Sequence, residues 1–264
     1  MGIITLISDW GTRDYYVSAV KGMIYKYHPE AKIIDITHQI QPFNSIEAAY
    51  ILKNAHQSFP DNTIHIIGIN TEESLKNAHI VAYYNNQYFI GTDDGIFSLI
   101  FDHEPESIYE IDIPLESSNH TFSSRDRFAK AAAHIAKGGP MEELGSQKIE
   151  LISKFLLSPG VVEDIFKGMI IHIDNYHNLI TNITKQDFKK FISGSKFEIS
   201  FRSQKYKITE IHDSYGDVRP GEIVALFTGN DMLEIAINKG KAASLLGIHK
   251  NDPIVISREV KTKL

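Results

Sequence analysis

The chain has 264 residues, 42% of them hydrophobic and 23% charged, with a formal net charge of −6. That length supports one large or two medium domains, and an acidic balance with no long basic run argues against nucleic acid as a partner. No apolar run reaches the roughly 20 residues that cross a bilayer, no basic-flanked leader is visible, and the lack of cysteine excludes disulfides, thiolate metal sites and a cysteine nucleophile.

The apolar run Ile3 to Ile7 predicts a strand that stops at Ser8-Asp9-Trp10-Gly11-Thr12-Arg13-Asp14. A carboxylate at the mouth of a first parallel strand sits where open α/β sheets hold ligands. Asp9 offers two acceptor oxygens to a vicinal diol such as a ribose, although an Asp here also serves as a turn cap. Val17, Val20, Ile24 and Tyr27 at helical spacing predict a helix that ends at His28-Pro29. A second strand follows at Lys32 to Ile36. Asn44-Ser45-Ile46-Glu47 reads as a capping box opening a helix to about Gln57, and Thr63 to Ile69 as a third strand, which completes a βαβαβ opening. Two alternating runs, His79–Tyr84 and Gln87–Gly91, flank Asn85-Asn86; Asn tolerates positive φ, so a two-residue hairpin is expected. Residues 94–101 read as a short helix, 107–113 as a strand, and Arg125–Lys137 as an alanine-rich helix closed by Gly138-Gly139-Pro140.

Beyond about residue 150 the pattern changes. Strand-like runs at Met169–Asp174, Asn178–Ile183, Phe197–Phe201, Lys205–Thr209, Glu222–Phe227 and Ile254–Ser257 suggest a small β-barrel or sandwich, with helices only at Lys185–Ile192 and Lys241–Leu246. Ser158-Pro159-Gly160 marks a linker. The expected organisation is therefore an N-terminal α/β domain with a mainly parallel sheet (1–157), a linker (158–167) and a smaller C-terminal β-barrel (168–264). The twelve histidines show no metal-ligand spacing. A cytoplasmic protein acting on a small molecule, with no metal and no membrane or nucleic-acid partner, is the expectation.

Four blocks carry a resemblance. They are Ser8-Asp9-Trp10-Gly11-Thr12-Arg13-Asp14-Tyr15-Tyr16-Val17 with Lys21-Gly22; Asp35-Ile36-Thr37-His38 with Ile40 and Pro42; Thr121-Phe122-Ser123-Ser124-Arg125-Asp126; and Tyr176-His177-Asn178-Leu179-Ile180-Thr181-Asn182-Ile183. In this order they resemble the S-adenosylmethionine (SAM) hydroxide adenosyltransferase family, which also holds the fluorinase and chlorinase. Leu233-Glu234-Ile235-Ala236 with Asn238-Lys239-Gly240 and Leu246-Gly247 is similar to its C-terminal signature. The resemblance implies a homotrimer that binds SAM, as substrate or ligand, between one subunit's N-terminal domain and its neighbour's C-terminal domain, with no separate cofactor. By position it implies Asp9 for the ribose hydroxyls, Phe43 and Phe122 beside the ligand, Tyr176 against adenine, Asn178 for the ribose and Asp174 for the methionine ammonium. Carboxylate, aromatic face and amide suit these tasks. Read singly, Phe43 and Tyr176 also suit core packing, and Asn178 and Asp174 a turn.

The family reaction, as the resemblance implies it, displaces neutral methionine from C5′ of the adenosyl group. A sulfonium needs no acid to leave, so the protein must align the nucleophile and, for water, remove a proton. In hydrolysing members that task falls to an Asp, an Arg and a His. Here Asn70, Asn77 and Ser123 stand at those three positions, and none of them titrates near neutral pH. Glu72, Glu73, Lys76 and His79 are the nearby candidates to replace them. Ser124 is shared with the halide-using relatives and also suits a cap for the helix starting at Arg125; the tight Asn85-Asn86 turn, where fluorinase-type chains carry an insertion, argues against halogenation. SAM hydrolysis with an altered water site is the expectation, a non-catalytic SAM or nucleoside binder the alternative, and adenosyl transfer to a halide or another nucleophile a weaker third reading.

Overall fold

A computed structural model describes residues 2–72, 74, 76–114, 121–155, 157–201 and 203–258. The chain forms two units, Met1–Leu156 and Leu157–Leu264.

The first unit is built on six strands: β1 (Ile3–Ser8), β2 (Lys32–Thr37), β3 (Ile64–Gly68), β4 (His79–Tyr84), β5 (Gln87–Thr92) and β6 (Ser107–Glu110). Their order is β2-β1-β3-β5-β4-β6. β1 runs parallel to β2 and β3, β3 parallel to β5, and β4 antiparallel to both β5 and β6. The central strands are apolar in continuous runs because both faces are covered. Ile4, Leu6, Ile64 and Ile66 face one core, shared with Val20 and Ile24 of α1 (Tyr16–Tyr27) and the alanines of α4 (Ala129–Ala136). Ile7, Ile67 and Phe89 face the other, shared with Leu52 of α2 (Ser45–Ala55) and Phe97 of α3 (Ile96–Ile100).

The Asn85-Asn86 hairpin forms as expected, with φ of 49° and 61° and the paired left-handed residues of a type I′ turn. The sequence pattern did not reveal where this hairpin docks. β5 pairs with β3 and β4 lies outside it, so Thr92-Asp93-Asp94 emerges beside the carboxyl end of β3. The box at Asn44 forms in altered shape: Asn44 Oδ1 accepts the Glu47 N–H at 3.1 Å, while the Glu47 carboxylate takes the Asn44 side-chain amide at 3.0 Å. The helix expected at 94–101 is confined to α3, and the strand expected at 107–113 to β6. The helix expected from Arg125 opens one residue earlier, as a π-helical turn over Ser124–Phe128 that leads into α4.

The second unit is an antiparallel sheet of β7 (Gly160–Val162), β8 (Ile165–Ile173), β9 (Leu179–Thr184), β10 (Phe197–Phe201), β11 (Ser203–Ile208), β12 (Ile223–Phe227), β13 (Met232–Ile237) and β14 (Pro253–Arg258), with helices α5 (Lys185–Ile192) and α6 (Ala242–Leu246). The order is β11-β10-β14-β8-β9-β13-β12, with β7 on β8. The edge strands β11 and β12 approach each other, so the sheet curls into a half-barrel around Phe166, Leu179, Phe188, Ile199 and Ile235. Two features went unread in the sequence. The stretch 158–167, expected as a linker, carries β7 and the start of β8. β13 shows no alternation because Leu233 and Ile235 face the main core while Ala236 packs with Val224 on the other side, and a strand buried on both faces loses its period of two.

Candidate functional site

In the first unit the chain switches direction at β1, which has β2 on one side and β3 on the other. The crevice at the carboxyl ends of such strands is the ordinary ligand position in an open α/β sheet. Asp9 stands there, directly after β1, and its Oδ2 accepts the Phe43 N–H at 2.8 Å. Phe43 has φ of 65° and a ring 76% exposed. A positive φ is unusual for a bulky side chain, so the carboxylate pins a strained loop that presents an aromatic ring to solvent.

Trp10 follows Asp9 and lies across Gly68, where a Cβ would come within 2.3 Å of the indole; glycine is required for that approach. The indole stacks on His38 at 6.1 Å and meets Phe122 edge-on at 6.0 Å, and Tyr16 meets the same phenyl at 5.4 Å. His38 Nδ1 lies 2.6 Å from the Ser8 hydroxyl, and Lys21 donates to Asp35 at 2.6 Å. Burial opposes ionisation of Asp35, yet the bonds from Lys21 and His38 hold its carboxyl below the usual value.

The three substituted positions lie in this unit. Asn70, two residues past β3, has φ of 50° and donates from Nδ2 to Asp94 Oδ2 at 3.0 Å. Asn77 closes a turn with Ser74 through its backbone N–H, 3.2 Å from the Ser74 carbonyl. Ser123 is buried ahead of the π-helical turn. Ser124 is not the cap the sequence suggested. It lies inside the helix, its carbonyl accepts the Ala129 N–H, and its buried hydroxyl has no protein partner.

Of the residues considered as replacements, His79 is fully buried. Its Nε2–H donates to the Thr71 carbonyl at 3.1 Å and its Nδ1 accepts from Arg127 at 3.0 Å, so both ring nitrogens are engaged. Glu72 and Lys76 are exposed, and Glu73 lies outside the described residues.

In the second unit the Asp174–Asn178 segment is a tight turn after β8. Asp174 Oδ1 accepts the N–H groups of Tyr176 at 2.9 Å and Asn178 at 2.8 Å, and Oδ2 accepts the Asn178 amide at 3.1 Å. Three donors already fill most of that carboxylate's acceptor capacity. Its first job is to shape the turn that leaves the Tyr176 ring 75% exposed. A cavity of about 650 Å³ opens beside it, lined by Tyr176, Asn178, Tyr215, Lys239 and Lys241 among others, within the size range of small-ligand sites. The Tyr215 phenol donates to Glu234 Oε1 at 2.9 Å. Burial pushes both groups up, and the nearby Asp174 charge adds to the effect. Thr92, Asp94, Tyr215, Glu234 and the two lysines were not singled out from the sequence as site residues. Asp93-Asp94-Gly95 was the readable signal, a carboxylate pair at the end of a strand; Tyr215 opens a single 3-10 turn, Tyr215–Asp217, too short to show a period, and gave none.

A mainly parallel α/β unit with polar and aromatic residues at its strand ends, joined in sequence to a curled antiparallel unit with a tyrosine-rimmed cavity, defines a protein of two-part architecture. The SAM hydroxide adenosyltransferase N-terminal domain matches residues 4–145 and the C-terminal domain of the same name residues 168–255. The chain belongs to the SAM hydroxide adenosyltransferase family. It is 32% identical over 267 residues to the (R)-S-adenosyl-L-methionine hydrolase of Methanocaldococcus jannaschii, covering 97% of this chain and 96% of that one. The fluorinase of Nocardia brasiliensis is 25% identical over 219 residues, covering 71% and 73%. A crystal structure of an uncharacterized conserved protein from Thermotoga maritima superposes with a TM-score of 0.88 at 29% identity, over 97% of this chain and 100% of that one.

Proposed function

We propose that the protein binds SAM and cleaves it at C5′, with water as the nucleophile and methionine as the leaving group, giving adenosine. The observation that carries this reading is the pairing of family membership with a cavity of ligand size beside Tyr176 and Asn178. Relatives named as SAM hydrolases align along nearly the whole chain. In this reading Asp9 takes the ribose diol, Phe43 and Phe122 bound the ligand, Tyr176 lies on the adenine, and Asn178 and Asp174 complete the polar contacts. The sulfonium departs as a neutral thioether, so alignment and proton removal are the protein's tasks. A homotrimer is the assembly proposed with this activity, and sedimentation of the purified chain tests it.

The substitutions at Asn70, Asn77 and Ser123 favour a second reading, a SAM or nucleoside binder without turnover. Chromatography of a SAM incubation separates the two: adenosine supports hydrolysis, a halogenated nucleoside in halide buffer supports halide transfer, and unchanged SAM with calorimetric binding supports the binder. Micromolar affinity, about −8 kcal/mol, is expected. Asp9→Ala should weaken it by about 1.5–3 kcal/mol, since a charge-assisted partner of the diol is lost. Unchanged affinity would reduce Asp9 to a turn residue.

A further inference from the structure

The carboxyl ends of β3 and β5 hold a carboxylate, Asp94, whose geometry fits a task left open by the substitutions. Its Oδ2 accepts the Asn70 side-chain amide at 3.0 Å and its Oδ1 accepts the Ile96 N–H at 3.1 Å. Each oxygen is fixed by one donor and keeps a lone pair for a further hydrogen bond. Asp94 is half-buried, and water reaches it. The neighbouring titratable groups are committed elsewhere. Asp93 is fully buried, 3.2 Å from the Lys148 ammonium and accepting the Ile152 N–H at 3.1 Å, and both nitrogens of His79 are bonded.

An independent feature points to the same place. Among the described residues, the buried hydroxyls of Thr92 and Ser124 have no protein hydrogen-bond partner. Thr92 ends β5, two residues before Asp94, and Ser124 opens the π-helical turn that packs against β3 and β5. Buried hydroxyls are nearly always satisfied. Two unsatisfied ones on elements that meet at one strand end mark a polar space suited to a small hydrogen-bonding molecule such as water.

We propose that Asp94, oriented by Asn70, accepts the proton of the water that attacks C5′. This assignment rests on the hydrolytic reading given above. As the water oxygen bonds to C5′, the C5′–S bond breaks and its electron pair passes to sulfur, neutralising the sulfonium. The water proton moves to the Asp94 carboxylate and from there to solvent.

The experiment compares the full-length protein with Asp94→Asn and with the exchange Asn70→Asp/Asp94→Asn, measuring kcat and KM for adenosine release, SAM affinity by calorimetry and thermal melting. Asp94→Asn should lower kcat by about 10²–10⁴-fold while SAM affinity stays within about threefold. The exchange variant, which returns one carboxylate and one amide to the same pair, should recover most of the lost rate. A purely structural role predicts the reverse, a shifted melt with kcat intact. An Asp94→Asn kcat within about threefold of the parent, or an exchange variant no faster than Asp94→Asn alone, overturns the assignment while leaving hydrolysis standing. Failure of the parent protein itself to release adenosine overturns the hydrolytic reading, and this assignment with it.

Discussion

At their amino ends, strands β1, β3 and β5 surround a closed polar network, whereas at their carboxyl ends they leave polar groups open. Gln87, the first residue of β5, donates from Nε2 to the carbonyls of His56 at 3.1 Å and Phe59 at 2.9 Å. Its Oε1 must then be the acceptor, taking His56 Nδ1–H at 3.0 Å and His65 Nε2–H at 3.2 Å. That fixes the His65 tautomer, so its Nδ1 accepts the Thr5 hydroxyl at 2.7 Å. At the other end the Thr92 and Ser124 hydroxyls have no protein partner, Asn70 and Phe43 hold positive φ, and Asp9 and Asp94 present carboxylates. On β3 and β5 the satisfied polar burial thus lies at the amino end, and the Thr92 hydroxyl without a protein partner lies at the carboxyl end, where the proposed ligand would bind.

The largest effect that tests this contrast is at Gln87. Gln87→Leu strands two histidine N–H donors and the Phe59 carbonyl, and should destabilise the first unit by about 3–5 kcal/mol. Urea unfolding measures it as a lower midpoint at unchanged slope. A loss below about 1 kcal/mol would mean that the network is dispensable and the contrast between the two ends is not energetic.

The two ends also differed in how far the sequence exposed them. The βαβαβ opening, the Asn85-Asn86 turn and Asp9 at the first strand's mouth were readable because each rests on local chemistry: hydrophobic period, positive φ, a carboxylate after an apolar run. The roles of Gln87 and Asp94 were not, even though Asp94 shows as half of a carboxylate pair after a strand, since they depend on β5 lying parallel to β3, a long-range pairing that the hairpin pattern conceals. The Asp174–Asn178 turn was located from its residues. Its internal bonding, which spends the carboxylate on backbone N–H groups, belongs to the folded geometry alone. Tyr215 and Glu234 meet across 19 positions of sequence, and no periodicity predicts such a pair.

A smaller effect follows from His65. Burial lowers its pKa from 6.5 to about 3, with the neighbouring His56 adding to the shift, while the bond to Gln87 opposes it. The folded state therefore holds His65 neutral where the unfolded chain binds a proton. Its stabilising contribution is complete above pH 6.5 and is lost as pH falls from there toward 3, at up to about 1.4 kcal/mol per pH unit. His56, also lowered chiefly by burial, steepens the same limb. Denaturation between pH 7 and 4 should show the slope, and His65→Gln should flatten it relative to the parent. An identical slope in both proteins would assign acid sensitivity to the carboxylates.

The smallest effect carries the sign that separates the two ends most sharply. Thr92→Val deletes a buried hydroxyl that has no protein partner and puts a β-branched residue of the same shape in its place, so it should stabilise the protein by about 1 kcal/mol. At the amino end the matching change, Thr5→Val, removes the donor to His65 Nδ1 and should cost about the same amount. Thr92→Val should also slow adenosine release by about tenfold if that hydroxyl helps to hold the attacking water, a gain in stability obtained at the expense of turnover. A destabilised Thr92→Val would show that the hydroxyl is paired in solution and that the carboxyl end of β5 is as closed as the amino end.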